Sequence, residues 1–202
     1  MPVILVDGVS ASGKSIAIKK IQNKYSETVP NYSKLIITEH FTERYFEDKE
    51  ISEEAVQKHI KSIFDKVISF KELQDSSRFA GKADILTVYI ERLLLTFYSR
   101  NIINEHTFNH LAEEFSMLDC KHYLLTIPTE KFKERLVSSL EIRNKFWSEY
   151  INNKLGGLDK AVIHFQKQQD SMLEGSEILS KYMRTEVIAV DDIKSDFYKK
   201  IK

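Results

Sequence analysis

The chain has 202 residues, a length that suits one medium-sized domain with a substantial core. Its 30 lysines and arginines balance its 30 aspartates and glutamates, so no long-range positive field favours nucleic acid or an anionic membrane as a partner. A single cysteine excludes an intramolecular disulfide and a thiolate-rich zinc site, and no stretch approaches the roughly 20 apolar residues of a membrane helix. These features predict a cytoplasmic protein with no nucleic-acid or membrane partner.

The first predicted element is a strand over residues 3–6, and the segment after it fits the pattern G-x-x-x-x-G-K-[ST]. Between a strand and a helix, such a segment turns its backbone N–H groups inward, where they can surround phosphate oxygens. Lys14 can reach the terminal phosphates as a point charge, and the Ser15 hydroxyl can bind Mg²⁺. The predicted nucleotide-binding residues are Gly8, Val9, Ser10, Ala11, Ser12, Gly13, Lys14 and Ser15.

Hydrophobic periodicity predicts alternating helices and strands along the rest of the chain. Helices are expected over residues 14–25, over 52–74 with Ser52 as the N-cap, after Thr129 as a second cap, and briefly at the C-terminus. Gly156-Gly157 is a predicted break between two helical patterns. Further strands are expected at residues 34–38, 84–91, 122–127 and 186–190.

The segment before Glu91 also fits a helical stripe, but its β-branched and aromatic residues favour a strand. Five short apolar strands alternating with helices predict an α/β fold, with a five-stranded parallel sheet covered by helices on both faces. A single domain is expected over residues 1–202. Ligands of such sheets bind beyond the carboxyl ends of the strands, so candidate site residues are sought there.

Charged residues follow the second and third predicted strands. Glu39 could accept a proton from an attacking hydroxyl or hold a metal-bound water, although a solvated strand end is the alternative. Glu91 could serve the metal through water, and Arg92 could grip a transferring phosphoryl group or position its acceptor. An ion-paired helix start is the alternative for this pair.

Two arginines lie on the helix predicted after the fourth strand. Arg135 and Arg143 are eight positions apart, about 80° around a helix axis, so both can face one cleft in a lid over residues 130–160. Solvated surface arginines are the alternative. Asp191 and Asp192, after the last strand, lie where a nucleotide base could sit, although helix capping by Asp192 is simpler.

Other patterns are less informative. A GTPase needs an Asn-Lys-x-Asp segment, and the nearest match, at residues 144–147, lacks the aspartate. His106 and His110 share a helical face but have no third metal ligand nearby, which favours a solvated surface. The aromatic pairs Phe146-Trp147 and Tyr150-Ile151 are expected to pack in the core.

These residues together resemble the small P-loop kinases of the nucleoside and nucleotide kinase group, closest to deoxynucleoside and thymidylate kinases. Thr38-Glu39 stands where deoxynucleoside kinases carry the glutamate that acts as base on the sugar hydroxyl. Glu91-Arg92 is similar to their Glu-Arg pair and to the Asp-Arg pair of thymidylate kinases. Residues 124–136 resemble the strand, proline and arginine helix that lead into the lid. No glutamine or arginine that reads a base is identified.

The resemblance implies a P-loop NTPase architecture with a helical lid, and ATP and Mg²⁺ as cofactors. It implies transfer of the γ-phosphoryl group to a hydroxyl or phosphate of a small molecule, first of all a nucleoside or nucleoside monophosphate. The alternatives are a kinase for an antibiotic, sugar or other alcohol, and a non-catalytic nucleotide-binding module. A homodimer is also compatible with the resemblance. The implied catalytic residues are Lys14, Glu39, Arg92, Arg135 and Arg143, and the implied metal residues are Ser15 and Glu91.

Overall fold

The computed structural model describes residues 3–26, 34–38, 52–75, 87–143 and 145–201. Its strands are β1 (Val3–Asp7), β2 (Lys34–Thr38), β3 (Thr87–Glu91), β4 (Cys120–Thr126) and β5 (Arg184–Ala189). Its α-helices are α1 (Lys14–Ser26), α2 (Glu53–Asp75), α3 (Leu94–Tyr98), α4 (Glu105–Ser116), α5 (Phe132–Ile142), α6 (Lys145–Glu149) and α7 (Leu158–Leu179). Short 3₁₀ turns cover Thr129–Lys131 and Phe197–Lys200, and a π-helical turn covers Tyr150–Lys154. Within the described helices, none is long and apolar enough to cross a membrane.

The strands form one five-stranded sheet in the order β2-β3-β1-β4-β5, and every neighbouring pair is parallel. The central strand β1 pairs on both sides, with Val3 opposite Val88 on β3 and opposite Cys120 on β4. The predicted α/β fold with a parallel sheet is confirmed. Because all strands run in the same direction, the residues that end β1 and β3 meet at one edge of the sheet.

Helices pack on both faces of the sheet because successive side chains of each strand point to opposite sides. Val3 and Leu5 belong to the larger core, together with apolar residues of α2, α3, α4 and α7. Ile4 and Val6 belong to a smaller core formed with α1 and the C-terminal 3₁₀ turn. The near-continuous apolar strands thus reflect burial on both faces.

Several predicted boundaries are corrected by the structure. Strands β4 and β5 begin two residues earlier than predicted and end one residue earlier, because polar Lys121 and Arg184 still pair in register. Thr129 does not cap a helix through its side chain; it opens the 3₁₀ turn that leads into α5. The predicted break at Gly156-Gly157 is confirmed, since Gly157 has a φ of 100° and directly precedes α7.

Candidate active site

A cleft of about 910 Å³ opens where the residues that follow β1 and β3 meet α5, α7 and the π-helical turn. It brings together nearly all the predicted site residues that lie in the described part of the chain. The members that line it are Gly8, Val9, Ser10, Ala11, Gly13, Lys14, Ser15, Glu91, Arg92, Arg135 and Arg143. Ser12 is buried beneath the loop, and Glu39 lies outside the described residues.

The loop between β1 and α1 needs glycine at two positions for different steric reasons. A Cβ on Gly8 would stand 2.5 Å from the backbone oxygen of Leu125 on β4, so the loop lies directly against the neighbouring strand. Gly13 has a φ of 98°, in the left-handed region that side chains disfavour. These two glycines allow the chain to turn from strand to helix in the tight path that the sequence pattern predicts.

Lys14 is the first residue of α1 and folds its amine into the loop. Its Nζ donates hydrogen bonds to the backbone oxygens of Gly8 at 2.6 Å and Val9 at 2.8 Å, and lies 3.4 Å from Ser12 Oγ. Burial and, second, the positive charge of Arg92 lower the pKa of Lys14 from 10.5 to about 7, although Glu91 opposes the shift. The loop therefore holds a lysine whose charge is sensitive to any anion placed beside it.

Glu91 connects the loop to the end of β3. Its Oε1 accepts a hydrogen bond from Ser15 Oγ at 2.9 Å and another from Arg92 Nε at 3.1 Å, and the side chain is buried. Mg²⁺ in nucleotide sites takes one or two protein oxygens and fills its shell with phosphate oxygens and water. The hydroxyl and carboxylate of Ser15 and Glu91 therefore fit that ion, and no larger acidic or histidine cluster appears among the described residues.

Arg92 adopts an unusual backbone conformation, with a φ of 60° that is uncommon for a residue with a side chain. Its N–H donates to the Val6 oxygen at 3.1 Å. The completely buried carboxylate of Asp7, at the end of β1, accepts hydrogen bonds at Oδ1 from Leu93 N at 3.1 Å and Thr96 Oγ1 at 2.9 Å. Asp7 thus fixes the turn that directs Arg92 into the cleft.

Asp7 belongs to no recognised motif, but its position at the end of β1 is itself a signal in the sequence. A carboxylate that ends a buried aliphatic strand needs partners, because an unpaired buried charge is costly. Its second oxygen, Oδ2, lies 3.4 Å from Nε2 of His122, which is equally buried on β4. The polar cluster of Asp7, Thr96 and His122 therefore lies directly beneath the cleft.

The two predicted lid arginines occupy different environments. Arg135 is buried, and its Nη2 donates to the Val190 oxygen at 2.6 Å, just after β5. Burial lowers the pKa of Arg135, although Asp192 opposes the shift. The solvated alternative is therefore wrong for Arg135, which joins α5 to the end of β5 and lines the cleft as well.

Arg143 lies one residue beyond the end of α5 in extended backbone, so the helical spacing used to place it does not apply. It reaches the cleft from this extended position, with its guanidinium carbon 4.4 Å from the centre of the Trp147 ring. The side chain is exposed, unlike that of Arg135. Among the described residues, the contact that holds the Arg143 guanidinium is the face of the Trp147 ring.

The structure agrees with some of the remaining expectations from the sequence and corrects others. Trp147 and Ile151 are buried, as expected for core packing, but Phe146 is 71% exposed, which corrects that expectation. Among the described residues, His110 makes a long contact of 3.8 Å with Glu114 on its own helix. Asp192 accepts a hydrogen bond from Lys194 N at 2.8 Å in a turn and not in a helix cap.

The cleft is also lined by residues that the sequence did not identify, which follow α3 or lie on α7. Arg100 follows α3, and Gln168 and Met172 lie on α7. Gln168 is only 6% exposed. A buried polar residue within a helix has no sequence signature, so only the packing of α3 against α7 places it in the cleft.

Comparisons with known proteins bear on the fold. No protein-family model matches the chain, and no curated protein sequence matches it. The YorR protein of Bacillus subtilis, solved in complex with phosphorylated GDP, is similar with a TM-score of 0.58 and 13% identity over 98% of this chain and 92% of its own. Thymidylate kinase from Ehrlichia chaffeensis is similar with a TM-score of 0.56 and 12% identity over 98% of this chain and 95% of its own.

A third solved structure, polyphosphate kinase 2 from Arthrobacter aurescens TC1, gives a TM-score of 0.53 and 9% identity. The match spans 99% of this chain and 64% of that one. At these identities the comparisons establish a shared fold. The expected likeness to P-loop kinases is confirmed at that level.

Proposed function

We propose that this protein is a kinase that transfers the γ-phosphoryl group of ATP, with Mg²⁺, to a hydroxyl or phosphate of a nucleoside or nucleoside monophosphate. The observation that carries the proposal is one cleft that joins Lys14, Ser15, Glu91 and Arg92 at the carboxyl edge of a parallel sheet. The fold shared with a thymidylate kinase and with a protein solved with phosphorylated GDP supports a nucleotide-type acceptor.

The donor half of the proposed reaction uses the loop. Its backbone N–H groups and the N-terminus of α1 bind the phosphates, and Lys14 contributes charge toward the transferred group. Ser15 and Glu91 would hold Mg²⁺, which neutralises phosphate charge and orients the donor when it is bound. The hydrogen bond of 2.9 Å between these two side chains already places both oxygens at one point of the cleft.

The acceptor half uses charges across the cleft. Arg92 stabilises the negative charge that develops on the transferring group, and the strained turn held by Asp7 keeps it in place. Arg143, in the proposed lid of residues 130–160, adds a second positive charge and helps to exclude water, and Arg135 positions that lid against β5. Glu39 orients or deprotonates the acceptor.

The proposal is tested by measuring ADP formation with the Lys14→Ala variant. Turnover should be abolished while the fold stays intact, because the change removes the charge that the proposed reaction needs but no residue of either hydrophobic core. Lys19→Ala is the matched control, since Lys19 is exposed on the same helix and does not line the cleft. Full activity in Lys14→Ala would overturn the mechanism.

A further inference from the structure

The single tryptophan of the chain, Trp147, lines the cleft but has no part in the proposed phosphoryl transfer. It is 5% exposed and lies on α6, four residues after Arg143. The guanidinium carbon of Arg143 stands 4.4 Å from the centre of its ring, within the roughly 6 Å over which an aromatic face attracts a cation. A buried ring that contacts a charge in the cleft is a candidate for the residue that positions that charge.

Trp147 is itself held in a defined orientation. Its Nε1 donates a hydrogen bond of 3.0 Å to Ser139 Oγ on α5. The ring also stacks on Tyr150, at the start of the π-helical turn, with centroids 5.8 Å apart, and it tilts against Phe165 on α7 at 5.9 Å. Because three elements contact the ring and restrict its rotation, its face gives Arg143 a fixed place in the cleft.

Arg143 needs such a partner because other positive charges share the cleft. Its backbone is extended beyond the end of α5, so the helix does not fix the side chain. Although the open mouth of the cleft leaves the side chain exposed, the walls withdraw it from enough water to lower its pKa. The charge of Arg92 lowers that pKa further, with Glu91 opposing the shift. Since like charges repel, an exposed arginine without a partner would turn outward into solvent.

We propose that Trp147 is a positioning residue, whose ring holds the Arg143 guanidinium over the cleft against the repulsion of Arg92 and directs that charge at the transferring phosphoryl group. This inference rests on the proposed function, in which Arg143 supplies positive charge in the lid. The attraction of a cation to a tryptophan face corresponds to about 2-fold to 30-fold in an equilibrium constant. Without the ring, the productive position of Arg143 would be less populated by that factor.

The first test asks whether the contact forms in solution, and it needs no turnover. Because Trp147 is the only tryptophan, the tryptophan fluorescence of the full chain reports on this residue alone. Arg143→Ala removes the charge over the ring and should shift the emission, since indole emission responds to charge beside the ring. Lys145→Ala is the matched control and should leave the emission unchanged. It removes a positive charge two residues from Trp147, but Lys145 pairs with Glu149 at 3.2 Å and does not line the cleft.

The second test is a double-mutant cycle on kcat for ADP formation. Trp147→Leu keeps an apolar side chain but removes the ring, and it should lower kcat by about 2-fold to 30-fold. In the Arg143→Ala background the same change should have no further effect, because the charge that the ring positions is already absent. A ring that served packing alone would cost as much in both backgrounds. Trp147→Phe keeps an aromatic face, so its kcat should lie between those of the wild type and Trp147→Leu.

Three results overturn the inference: an emission that is the same in Arg143→Ala and the wild type, an equal shift in Lys145→Ala, and equal losses of kcat from Trp147→Leu in both backgrounds. Failure of the proposed function looks different, because no ADP would then form with any acceptor while Arg143→Ala still shifted the emission. In that case Trp147 still positions Arg143 in the cleft of a binding module without turnover. The emission test keeps Trp147 intact and alters an exposed residue, so it stands even where Trp147→Leu fails to fold.

Discussion

Nucleotide affinity should fall as the pH rises above 7, because of the buried amine of Lys14. Burial and the charge of Arg92 lower the pKa of Lys14 from 10.5 to about 7 in the free protein. A bound phosphate places negative charge beside Nζ, which favours the ammonium form and raises the pKa again. Above pH 7 the free protein therefore carries mostly neutral Lys14 and the complex carries charged Lys14, so binding takes up a proton.

The size of the effect follows from the fraction of free protein in which Lys14 is charged. With a pKa of about 7, that fraction is about one half at pH 7 and about one in a hundred at pH 9. ADP affinity should therefore be about 50-fold weaker at pH 9 than at pH 7, or about 2 kcal/mol. The terminal phosphate of ADP loses its last proton with a pKa of about 6, so it is about nine-tenths ionised at pH 7 and its own titration adds little above that pH.

The assay is calorimetric titration with ADP between pH 7 and pH 9, in two buffers that differ in ionisation enthalpy. The difference between the buffers gives the proton uptake, which should approach one proton per ADP at pH 9. Lys14→Arg is the matched control, because a guanidinium stays charged throughout this range and should abolish the pH slope. Affinity that is independent of pH, with no proton uptake, would refute the argument.

Three further variants test other parts of the site. Asp7→Ala leaves Leu93 N and Thr96 Oγ1 without their acceptor, so it should lower the free energy of unfolding by about 2–4 kcal/mol, measured by urea denaturation. Asp7→Asn keeps an acceptor oxygen and should cost less. Equal losses in the two variants would contradict the role of Oδ1. Glu39→Gln should lower kcat by about 10²–10⁴-fold with little change in KM. An unchanged kcat would show that Glu39 takes no part in the reaction and would favour the alternative of a solvated strand end. Arg143→Ala should lower kcat by about 10²–10³-fold, with Arg143→Lys intermediate; a change confined to KM would show that Arg143 contributes only to binding.

Much of the fold could be predicted because burial on both faces leaves a strong pattern in the sequence. Apart from Asp7 at its end, strand β1 is a run of aliphatic residues, and its alternate members fill the two separate cores. The ends of the strands were harder to predict. Polar residues such as Lys121 and Arg184 belong to a strand because they pair in register with the neighbouring strand, and hydrophobicity does not reveal this pairing. The end of α5 before Arg143 had no glycine or proline to mark it.

Residues of the candidate site could be predicted from the sequence where few roles are possible for the residue type at that position. The loop pattern specifies Lys14 and Ser15 directly, and the position of Glu91 after a strand places it at the same edge. Gln168 could not be distinguished from Gln166 two positions earlier, because only the packing of α7 against α3 separates them. The residues of α7 that line the cleft could therefore be identified only from the tertiary structure.

The proposed kinase activity is tested most directly by measuring acceptor-dependent ADP formation by the wild-type protein with ATP and Mg²⁺. The acceptors are nucleosides, nucleoside monophosphates, aminoglycosides and sugar alcohols, and product mass identifies which one gains a phosphoryl group. We expect ADP formation that depends on a nucleoside or nucleoside monophosphate and disappears in Lys14→Ala. Nucleotide binding without acceptor-dependent ADP formation from any member of the panel would contradict it.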